Sequence, residues 1–443
     1  MSGLVVFRGG RVIDPTQNLD DVVDIRVDRG VVTGVGELVS SQGERVIDVG
    51  GLTVAPGLID VHVHLREPGQ EWKETIERGT ATAAAGGFTT VFCMPNTEPA
   101  LDSVVALEQL RRCIDRGASV EVHPIATISE GRKGRLPVDF DALVGAGAVG
   151  FSDDGESTRD SAIMREALEA SRRLERPVMV HCEDPALTGG AMHDGDISRE
   201  LGIGGLPAAA EEIMIERDLA LASLTGGWLH VCHVSTANGA RAIATSKAKG
   251  VRVTAEVMPH HLTMTDDWVA GCRTTVNTAD TAGQCAPVAE PDTKVNPPLR
   301  SAADTRGLLR ALQTGAIDIV ATDHAPHARS EKQGRPFATA AFGLSGSETA
   351  LPLLLALVRA KHLNIHDVIR ALSAEPARLW RLPAGTLRPG APADIVAFDP
   401  DERWTVDANR LVSRGANSPL LGIELQGRVK MTVVGGDVRY RDW

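Results

Sequence analysis

The chain of 443 residues lacks several features that would place it in a common class of protein. It has no basic excess, because its formal net charge is -12, and this argues against a nucleic-acid-binding face. It has no apolar run of about 18 residues and no basic segment followed by an apolar run at its start, so we expect neither a membrane span nor an export signal. The sequence therefore predicts a cytoplasmic protein with neither nucleic acid nor membrane as a partner.

The sequence also lacks any Cys-x-x-Cys pair. This absence argues against a thiolate metal site and against the short disulfide framework of small secreted domains. We expect buried thiols in a reducing cytosol, with a lone reactive thiol as the alternative. The six cysteines are Cys93, Cys113, Cys182, Cys232, Cys272 and Cys285.

The length and the pattern of the chain predict an α/β fold. In its middle, strand patterns alternate with amphipathic stretches, which is the order of a (β/α)8 TIM-like barrel. Short β patterns at both ends predict one small β-sandwich built from the two termini. The expected division is 1–55 and 385–443 for the sandwich and 56–384 for the barrel. A doubly wound open sheet is the alternative.

Eight strands and four of the helices of this barrel can be placed on the sequence. The candidate strands are 58–62, 89–93, 120–126, 148–152, 177–181, 228–232, 251–257 and 317–322. The candidate helices are 103–116, 160–175, 208–224 and 305–314.

Two histidines, His62 and His64, stand where the first candidate strand ends. Alternate residues of a strand share a face, so both imidazoles can point at one ion. Neutral imidazole is the commonest side-chain metal ligand, and Zn²⁺ accepts it well. Two ordinary core or surface histidines are the alternative. Arg66 weighs against that alternative, because a fixed cation beside the pair can anchor an anion.

Four other candidate strands are followed by Asp or His residues. Asp153 and Asp154 follow the fourth strand, His181 the fifth, His233 the sixth and Asp323 the eighth. Capping of the next helix, or a hydrogen bond in the core, would explain any one of them alone. In barrels of this type the carboxyl ends of the strands form the active site. Five strand ends with such residues therefore predict a metal-dependent site.

Together these motifs resemble the amidohydrolase superfamily and, within it, dihydroorotases of the bacterial class I type, over essentially the whole chain. The motifs that carry the resemblance are Asp60-Val61-His62-Val63-His64-Leu65-Arg66-Glu67-Pro68-Gly69, Met94-Pro95-Asn96-Thr97, Phe151-Ser152-Asp153-Asp154-Gly155, His181-Cys182-Glu183, His233-Val234-Ser235-Thr236, Asn296-Pro297-Pro298-Leu299-Arg300 and Thr322-Asp323-His324-Ala325-Pro326-His327. The resemblance implies a zinc enzyme of pyrimidine biosynthesis that interconverts N-carbamoyl-L-aspartate and (S)-dihydroorotate. It also implies a homo-oligomer and, as a further partner, aspartate carbamoyltransferase.

The resemblance further implies the role of each site residue. One zinc would be held by His62, His64 and Asp323, and a second by His181 and His233. Asp154 would bridge the two ions, and Asp323 would also be the catalytic proton carrier. The implied substrate contacts are His64, Arg66, Asn96, Asn296, His327, Phe342 and Gly343.

The fourth strand end has no lysine, whereas hydantoinases, allantoinases and other dihydroorotases carry a carboxylated lysine there as the metal bridge. A carboxylate can take that place directly, and Asp153 is the rival of Asp154 for it. One alternative function is a hydantoinase-like or allantoinase-like cyclic amidase. The absence of the lysine and the presence of Pro95-Asn96-Thr97 argue against it. The other is a non-catalytic dihydroorotase-like partner of aspartate carbamoyltransferase, which would have lost metal ligands.

Two polar segments flank the predicted site. Residues 328–335 have few apolar anchors, which predicts a lid that becomes ordered when substrate binds. Residues 265–293 show little apolar periodicity and form a longer connection than in the enzymes that the chain resembles. We expect this segment to cover the site or to contact a partner, and a passive, disordered insertion is the alternative.

Overall fold

A computed structural model describes residues 3–39, 43–273 and 289–443. Its strands, in chain order, are β1 (Leu4–Asp14), β2 (Leu19–Asp28), β3 (Val31–Gly36), β4 (Arg45–Asp48), β5 (Thr53–Pro56), β6 (Leu58–Val63), β7 (Phe88–Cys93), β8 (Glu121–Pro124), β9 (Val178–Val180), β10 (Met192–His193), β11 (Gly205–Leu206), β12 (Leu229–Val231), β13 (Val253–Val257), β14 (Ile319–Val320), β15 (Ile395–Thr405), β16 (Glu424–Val434) and β17 (Asp437–Arg441).

The helices of the described ranges lie mainly between the barrel strands. They are α1 (Ile76–Ala85), α2 (Val104–Gly117), α3 (Phe140–Gly145), α4 (Ser161–Leu174), α5 (Asp196–Leu201), α6 (Ala208–Thr225), α7 (Ala237–Ala248), α8 (Pro259–Thr263), α9 (Ala302–Thr314), α10 (Arg329–Lys332), α11 (Ser347–Arg359), α12 (Ile365–Ile369) and α13 (Glu375–Trp380).

Parallel strands form a closed barrel in the middle of the chain. β6, β7 and β8 pair as one group, and β9, β12, β13 and β14 pair as another. Phe151 joins the two groups through parallel bridges to Ala126 and Val178. The ring closes where the backbone N–H of His64 donates to the carbonyl of His324 at 2.9 Å. The predicted (β/α)8 barrel is therefore confirmed.

Most barrel strands are shorter than the sequence predicts, although β6 and β7 are each one residue longer, and the fourth is reduced to a single bridging residue. The candidate strand 148–152 pairs only around Phe151. Just beyond it, the Asp153 carboxylate accepts hydrogen bonds from the backbone N–H groups of Ile128 (2.9 Å) and Ser129 (3.1 Å). These bonds fix the turn that ends the strand. By contrast, α2, α4, α6 and α9 overlap the four predicted helices almost completely.

Strands from the two termini form one eight-stranded sheet. Its order is β17-β16-β15-β5-β1-β2-β3, and β4 pairs with β1. The antiparallel pairing of β5 with β15 joins the segment before the barrel to the segment after it. The sheet encloses its own apolar core, in which Phe7 and Met431 are fully buried. The predicted β-sandwich of both termini is confirmed, whereas the exact boundaries after residues 55 and 384 stay a prediction.

The cysteines agree only in part with the expectation of free thiols. Cys93, Cys113, Cys182 and Cys232 are free and buried. Cys272 is disulfide-bonded, so the expectation is wrong for this residue. The absence of a Cys-x-x-Cys pair does not prevent a disulfide, because bond formation depends on the distance between two thiols in the fold. Cys285 lies outside the described residues.

The predicted insertion at 265–293 is described only at its two ends. Trp268 is 1% exposed in a short 3-10 turn, and a second such turn spans Pro291–Thr293. Residues 274–288 lie outside the described ranges, so the role expected for this segment stays a prediction. In the part of the chain that is described, no helix combines the length and apolarity needed to cross a membrane.

Candidate active site

Six side chains meet at the mouth of the barrel, where the strands end, and all six are buried. They are His62 from β6, His64 directly after β6, Asp154 after the fourth strand position, His181 after β9, His233 after β12 and Asp323 after β14. Ligand atoms of His62, His64 and Asp323 lie within 4.8 Å of one another, and so do those of His62, Asp154 and His233. His181 completes the set, because its Nδ1 lies 2.9 Å from Nε2 of His233, so the structure brings together all six residues that the sequence nominates as metal ligands.

His62 and His64 are oriented through their outer nitrogens. Nδ1 of His62 donates to Oε1 of Glu256 at 2.6 Å, and Nδ1 of His64 donates to Oδ1 of Asn96 at 2.9 Å. Since both partner oxygens are acceptors, each ring carries a proton on Nδ1 and turns Nε2 inward. Nε2 of His64 then lies 2.9 Å from Oδ1 of Asp323. This nitrogen and a carboxylate oxygen at that distance need a proton or a cation between them.

His181 and His233 form a second pair, from two different strands. Nδ1 of His181 lies 2.9 Å from Nε2 of His233, and Nε2 of His181 lies 3.0 Å from Oε2 of Glu183. Oδ1 of Asp154 lies 3.5 Å from Nε2 of His233 and 3.9 Å from Nδ1 of His181. Asp154 therefore stands next to the inward nitrogens of this pair.

The two neighbouring aspartates face different surroundings. Asp153 accepts hydrogen bonds from the hydroxyls of Ser129 (2.6 Å) and Thr158 (3.1 Å), so both its oxygens serve the loop. Asp154 instead points into the histidine cluster, where its Oδ1 lies 3.4 Å from Nε2 of His62. This placement favours Asp154 over Asp153 as the bridging carboxylate.

Two polar atoms at the centre of the cluster are buried without a partner. Within the described residues, neither Nε2 of His62 nor Oδ1 of Asp154 has a hydrogen-bond partner. An unsatisfied buried polar group costs about 1–3 kcal/mol. A divalent cation between the two atoms would satisfy both, and imidazole nitrogen and carboxylate oxygen are ligands that Zn²⁺ prefers. The donor set therefore fits a metal site of the type that the amidohydrolase fold implies.

The electrostatics of the site also favour a cation. Burial alone would raise the pKa of Asp154, but the charge on His62 holds it well below its ordinary value. Burial likewise raises the pKa of Asp323, but the hydrogen bond from His64 and the charges of the neighbouring histidines together lower it below its ordinary value. Burial also raises the pKa of Glu256, but His62 and His230 together lower it to about 2. Three carboxylates are therefore ionised at neutral pH around one small volume.

Arg66 provides a buried positive charge beside this centre. Its Nε donates to the carbonyl of Pro326 at 3.1 Å, and one terminal nitrogen lies 3.3 Å from Nε2 of His327. Burial lowers its pKa to about 10, so the guanidinium stays charged at neutral pH. It is only 7% exposed, and no ion pair joins it to a carboxylate within the described chain. A guanidinium in this state suits the carboxylate of a ligand.

The remaining sequence-predicted contact residues lie on two sides of the mouth. On one side, Nε2 of His327 donates to the carbonyl of Phe342 at 2.7 Å, which places His327 against the Phe342–Gly343 turn. On the other side, the amide of Asn296 donates to Oε2 of Glu183 at 2.8 Å and lies 3.3 Å from His181. The structure places these residues around the cluster, and their contact with substrate stays a prediction.

Sequence reasoning missed three residues of the site. Glu256 orients His62, and Glu183 contacts His181. Cys232 is the third, because its sulfur lies within 4.8 Å of ligand atoms of His62 and Glu256. A carboxylate inside the apolar strand β13 was a signal for Glu256. Glu183 stands in the motif His181-Cys182-Glu183, but no pattern in the sequence assigns it a role. No feature of the sequence singles out Cys232.

Known proteins resemble the chain over its full length. Residues 51–239 match a family model described as Dihydro-orotase-like, and residues 307–440 match one described as Amidohydrolase family. Dihydroorotase of Syntrophus aciditrophicus is 44% identical over 441 residues, covering 99% of both chains. Dihydroorotase of Geobacter sp. (strain M21) is 43% identical over 439 residues with the same coverage.

Solved structures share the fold at lower sequence identity. L-hydantoinase (dihydropyrimidinase) from Arthrobacter aurescens superimposes with a TM-score of 0.85 at 25% identity, over 98% of this chain and 95% of that one. Dihydropyrimidinase from Brevibacillus agri has a TM-score of 0.83 at 23% identity, over 99% and 95% of the two chains, and supports the fold alone. On the identity and coverage of its full-length relatives, the chain belongs to the dihydroorotase family.

Proposed function

We propose that this chain catalyses the reversible cyclisation of N-carbamoyl-L-aspartate to (S)-dihydroorotate and water, in the biosynthesis of pyrimidines. The full-length relatives named dihydroorotase support this reaction. The observation that carries it is the buried guanidinium of Arg66, which forms no ion pair with a carboxylate of the described residues and lies next to a histidine and carboxylate centre. That arrangement suits a cyclic amide that bears its own carboxylate.

The centre fits two zinc ions. His62, His64 and Asp323 would hold the first, and His181 and His233 the second, with Asp154 between them. The support for the first ion is that ligand atoms of His62, His64 and Asp323 lie within 4.8 Å of one another. The support for the second is that His181 lies 2.9 Å and Asp154 3.5 Å from Nε2 of His233. Within the described residues, Nε2 of His62 and Oδ1 of Asp154 also lack a hydrogen-bond partner. When bound, zinc would polarise the substrate carbonyl and make water reactive at neutral pH.

Asp323 is the proton carrier of the proposed mechanism. It is ionised at neutral pH, so it can accept the proton that the attacking water loses. It then gives this proton to the ring nitrogen as the carbon–nitrogen bond breaks. The carbonyl carbon becomes a carboxylate, and the ring nitrogen becomes the terminal amide of the carbamoyl group. Cyclisation runs the same steps in reverse.

Substrate orientation is the task of the residues around the centre. Arg66 would bind the carboxylate outside the ring through two parallel N–H groups, a geometry that lysine cannot offer. Asn96 and His327 would add polar contacts to the same carboxylate. The further proposed contacts are His64, Asn296, Phe342 and Gly343.

A hydantoinase-like reaction on uncharged rings is the main alternative, because the solved structures with this fold include hydantoinases. Arg66 would then have no carboxylate to bind. A non-catalytic role is the second alternative. It conflicts with the presence of all six expected ligands in one cluster.

We further propose that the protein works in the cytoplasm as a homo-oligomer and associates with aspartate carbamoyltransferase. Support for the association is chemical, since that enzyme class makes N-carbamoyl-L-aspartate. Light scattering on the chain alone and after mixing with the transferase would measure both assemblies.

Zinc analysis of the purified protein, alongside ring-opening assays, tests the function. We expect about two zinc ions per chain and faster opening of dihydroorotate than of dihydrouracil or hydantoin. Faster opening of the uncharged rings would replace this function with the hydantoinase alternative. A zinc-loaded protein that opens none of the three rings would support the non-catalytic role.

A further inference from the structure

A buried lysine lies outside the metal centre, between the segments that carry predicted substrate contacts. Lys332 is the last residue of α10, and its side chain is completely buried. Its Nζ donates to the carbonyl of Pro291 at 2.8 Å and to the carbonyl of Lys294 at 3.0 Å. A fully buried ammonium is uncommon, because removing it from water is costly unless it is hydrogen-bonded and compensated. The two hydrogen bonds of Nζ therefore indicate that the buried ammonium of Lys332 has a specific role.

Asp292 compensates this charge in part. It is 8% exposed, and one of its carboxylate oxygens has no hydrogen-bond partner within the described chain. Burial raises the pKa of Asp292 to about 6, and the nearby ammonium opposes that rise. Burial lowers the pKa of Lys332 to about 7, and Asp292 opposes that fall. The two groups therefore support each other's charged forms.

The carbonyl of Lys294 is the point at which two segments meet. It accepts a hydrogen bond from Lys332 and another from the backbone N–H of Gly343 at 2.9 Å. The side chain of Lys294 extends over the ring of Phe342, with Nζ 4.2 Å from the ring centroid. The predicted contact pair Phe342–Gly343 therefore rests on the same short turn that Lys332 holds.

The same turn leads directly to Asn296, two residues beyond Lys294. Asn296 donates to Glu183 and lies against His181, so its position depends on how this turn is held. A shift of the turn would move a contact residue on each side of the mouth.

Residues on the other side of Lys332 connect it to His327. The carboxylate of Glu331 accepts a hydrogen bond from the backbone N–H of Ala328 at 2.9 Å and lies 3.5 Å from Nδ1 of His327. The carbonyl of Glu331 accepts a hydrogen bond from Ala341 at 3.0 Å. The 328–335 segment thus has a polar anchor at Lys332, although its sequence offers few apolar ones.

We propose that Lys332 is a positioning residue for substrate binding, which fixes Asn296 and the Phe342–Gly343 turn at the separation that the substrate requires. This inference rests on the proposed function, since it takes those residues as substrate contacts. Lys332 itself would not touch the substrate. Its loss would weaken binding of the substrate and of the transition state to similar extents, which raises KM and leaves kcat nearly unchanged.

The test compares Lys332→Met with Lys249→Met, a control at the exposed end of α7. Methionine keeps the unbranched shape and removes both hydrogen bonds. In ring opening of dihydroorotate we expect KM of the Lys332 variant to rise by about tenfold, while kcat changes by less than about threefold. Zinc content and the control variant should match the wild type. A lower kcat with an unchanged KM would show a purely structural lysine and overturn the proposal.

Lys332→Gln decides the question if the methionine variant does not fold. Glutamine is shorter and uncharged but still offers two N–H donors, so it should fold more readily and hold the turn less well. We expect its KM to rise by about threefold or more, and a wild-type KM would overturn the proposal. The wild-type assay is the separate check on function, because failure to open dihydroorotate there would contradict the proposed reaction whatever the variants do.

Discussion

The two histidine pairs of the centre are built in different ways. His62 lies in β6 and His64 directly follows this strand, and each ring hydrogen-bonds through its outer nitrogen to an acceptor from another strand or strand end. His181 and His233 follow two different strands, β9 and β12, and their inward nitrogens lie 2.9 Å from each other. The first pair is therefore oriented by one backbone and two fixed acceptors. The second depends on the relative placement of two strands.

This difference indicates which half should bind its metal more tightly. Fixed acceptors orient imidazole rings and raise their basicity, so a pair held in this way loses less entropy when a metal binds. The first pair has such acceptors on both rings. In the second pair, Glu183 contacts one ring, and its side chain also binds Asn296. We expect the first half to be the more rigid and to bind zinc more tightly.

The largest expected effect is loss of the proton carrier in the first half. Asp323→Asn should lower the rate of ring opening by about 10²–10⁴-fold, since the amide can coordinate weakly but cannot accept a proton at neutral pH. Thermal unfolding should stay close to the wild type, and much of the zinc should be retained. Asp141→Asn, at an exposed position, is the control. Turnover close to the wild-type rate in zinc-loaded Asp323→Asn would remove Asp323 from this role.

A smaller effect is expected at Arg66, four residues after His62 on the same side of the site. Arg66→Lys keeps the charge but loses the planar fork, which should cost about 1–3 kcal/mol of charge-assisted hydrogen bonding. We expect kcat/KM for dihydroorotate to fall while that for uncharged hydantoin stays low and nearly unchanged. Arg165→Lys on the exposed face of α4 serves as the control. An equal loss on both rings would mean that Arg66 acts on the fold and not on the carboxylate.

The sequence predicts the first half of the centre better than the second, for physical reasons. The spacing of His62 and His64 places both rings on one face of a strand, so their proximity follows from local geometry. The proximity of His181 and His233 depends on the pairing of β9 with β12, which follows from the predicted order of the barrel strands and not from local spacing. The barrel itself follows from the alternation of strands and helices. The fourth strand is shorter than predicted because side-chain bonds of Asp153 turn the chain at that point.

The sequence does not predict polar side chains that are buried although their neighbours along the chain are also polar. Lys332 stands in a run of charged and small residues that is typical of an exposed loop, yet its side chain is completely buried. Its partners are backbone carbonyls about 40 residues away, which carry no side-chain signal in the sequence. Cys272 is similar, because its disulfide depends on the distance between two thiols in the fold.

The smallest expected effects compare the two halves directly. Oxygens of Glu256 contact His62 at 2.6 Å and His230 at 3.2 Å, and a glutamine has one acceptor oxygen for these two rings. Glu256→Gln should therefore weaken zinc binding in the first half by about tenfold, the lower end of the range for such partners. Glu183→Gln should weaken the second half by less, since the amide oxygen can still accept from His181. Asn296, the other partner of Glu183, can rotate its amide and so keep a hydrogen bond to the glutamine.

Both variants and the wild type are dialysed against increasing concentrations of a chelator, and the zinc that each protein retains is measured. Wild-type protein should lose one zinc at a lower chelator concentration than the other, because the second half binds more weakly. Glu256→Gln should bring the two steps together, by weakening the tighter site towards the looser one. Glu183→Gln should move them slightly apart. The opposite result would be two zinc-loss steps that move apart in Glu256→Gln and merge in Glu183→Gln. It would mean that the second half binds zinc more tightly than the first. Orientation by outer hydrogen bonds would then not be what sets zinc affinity here.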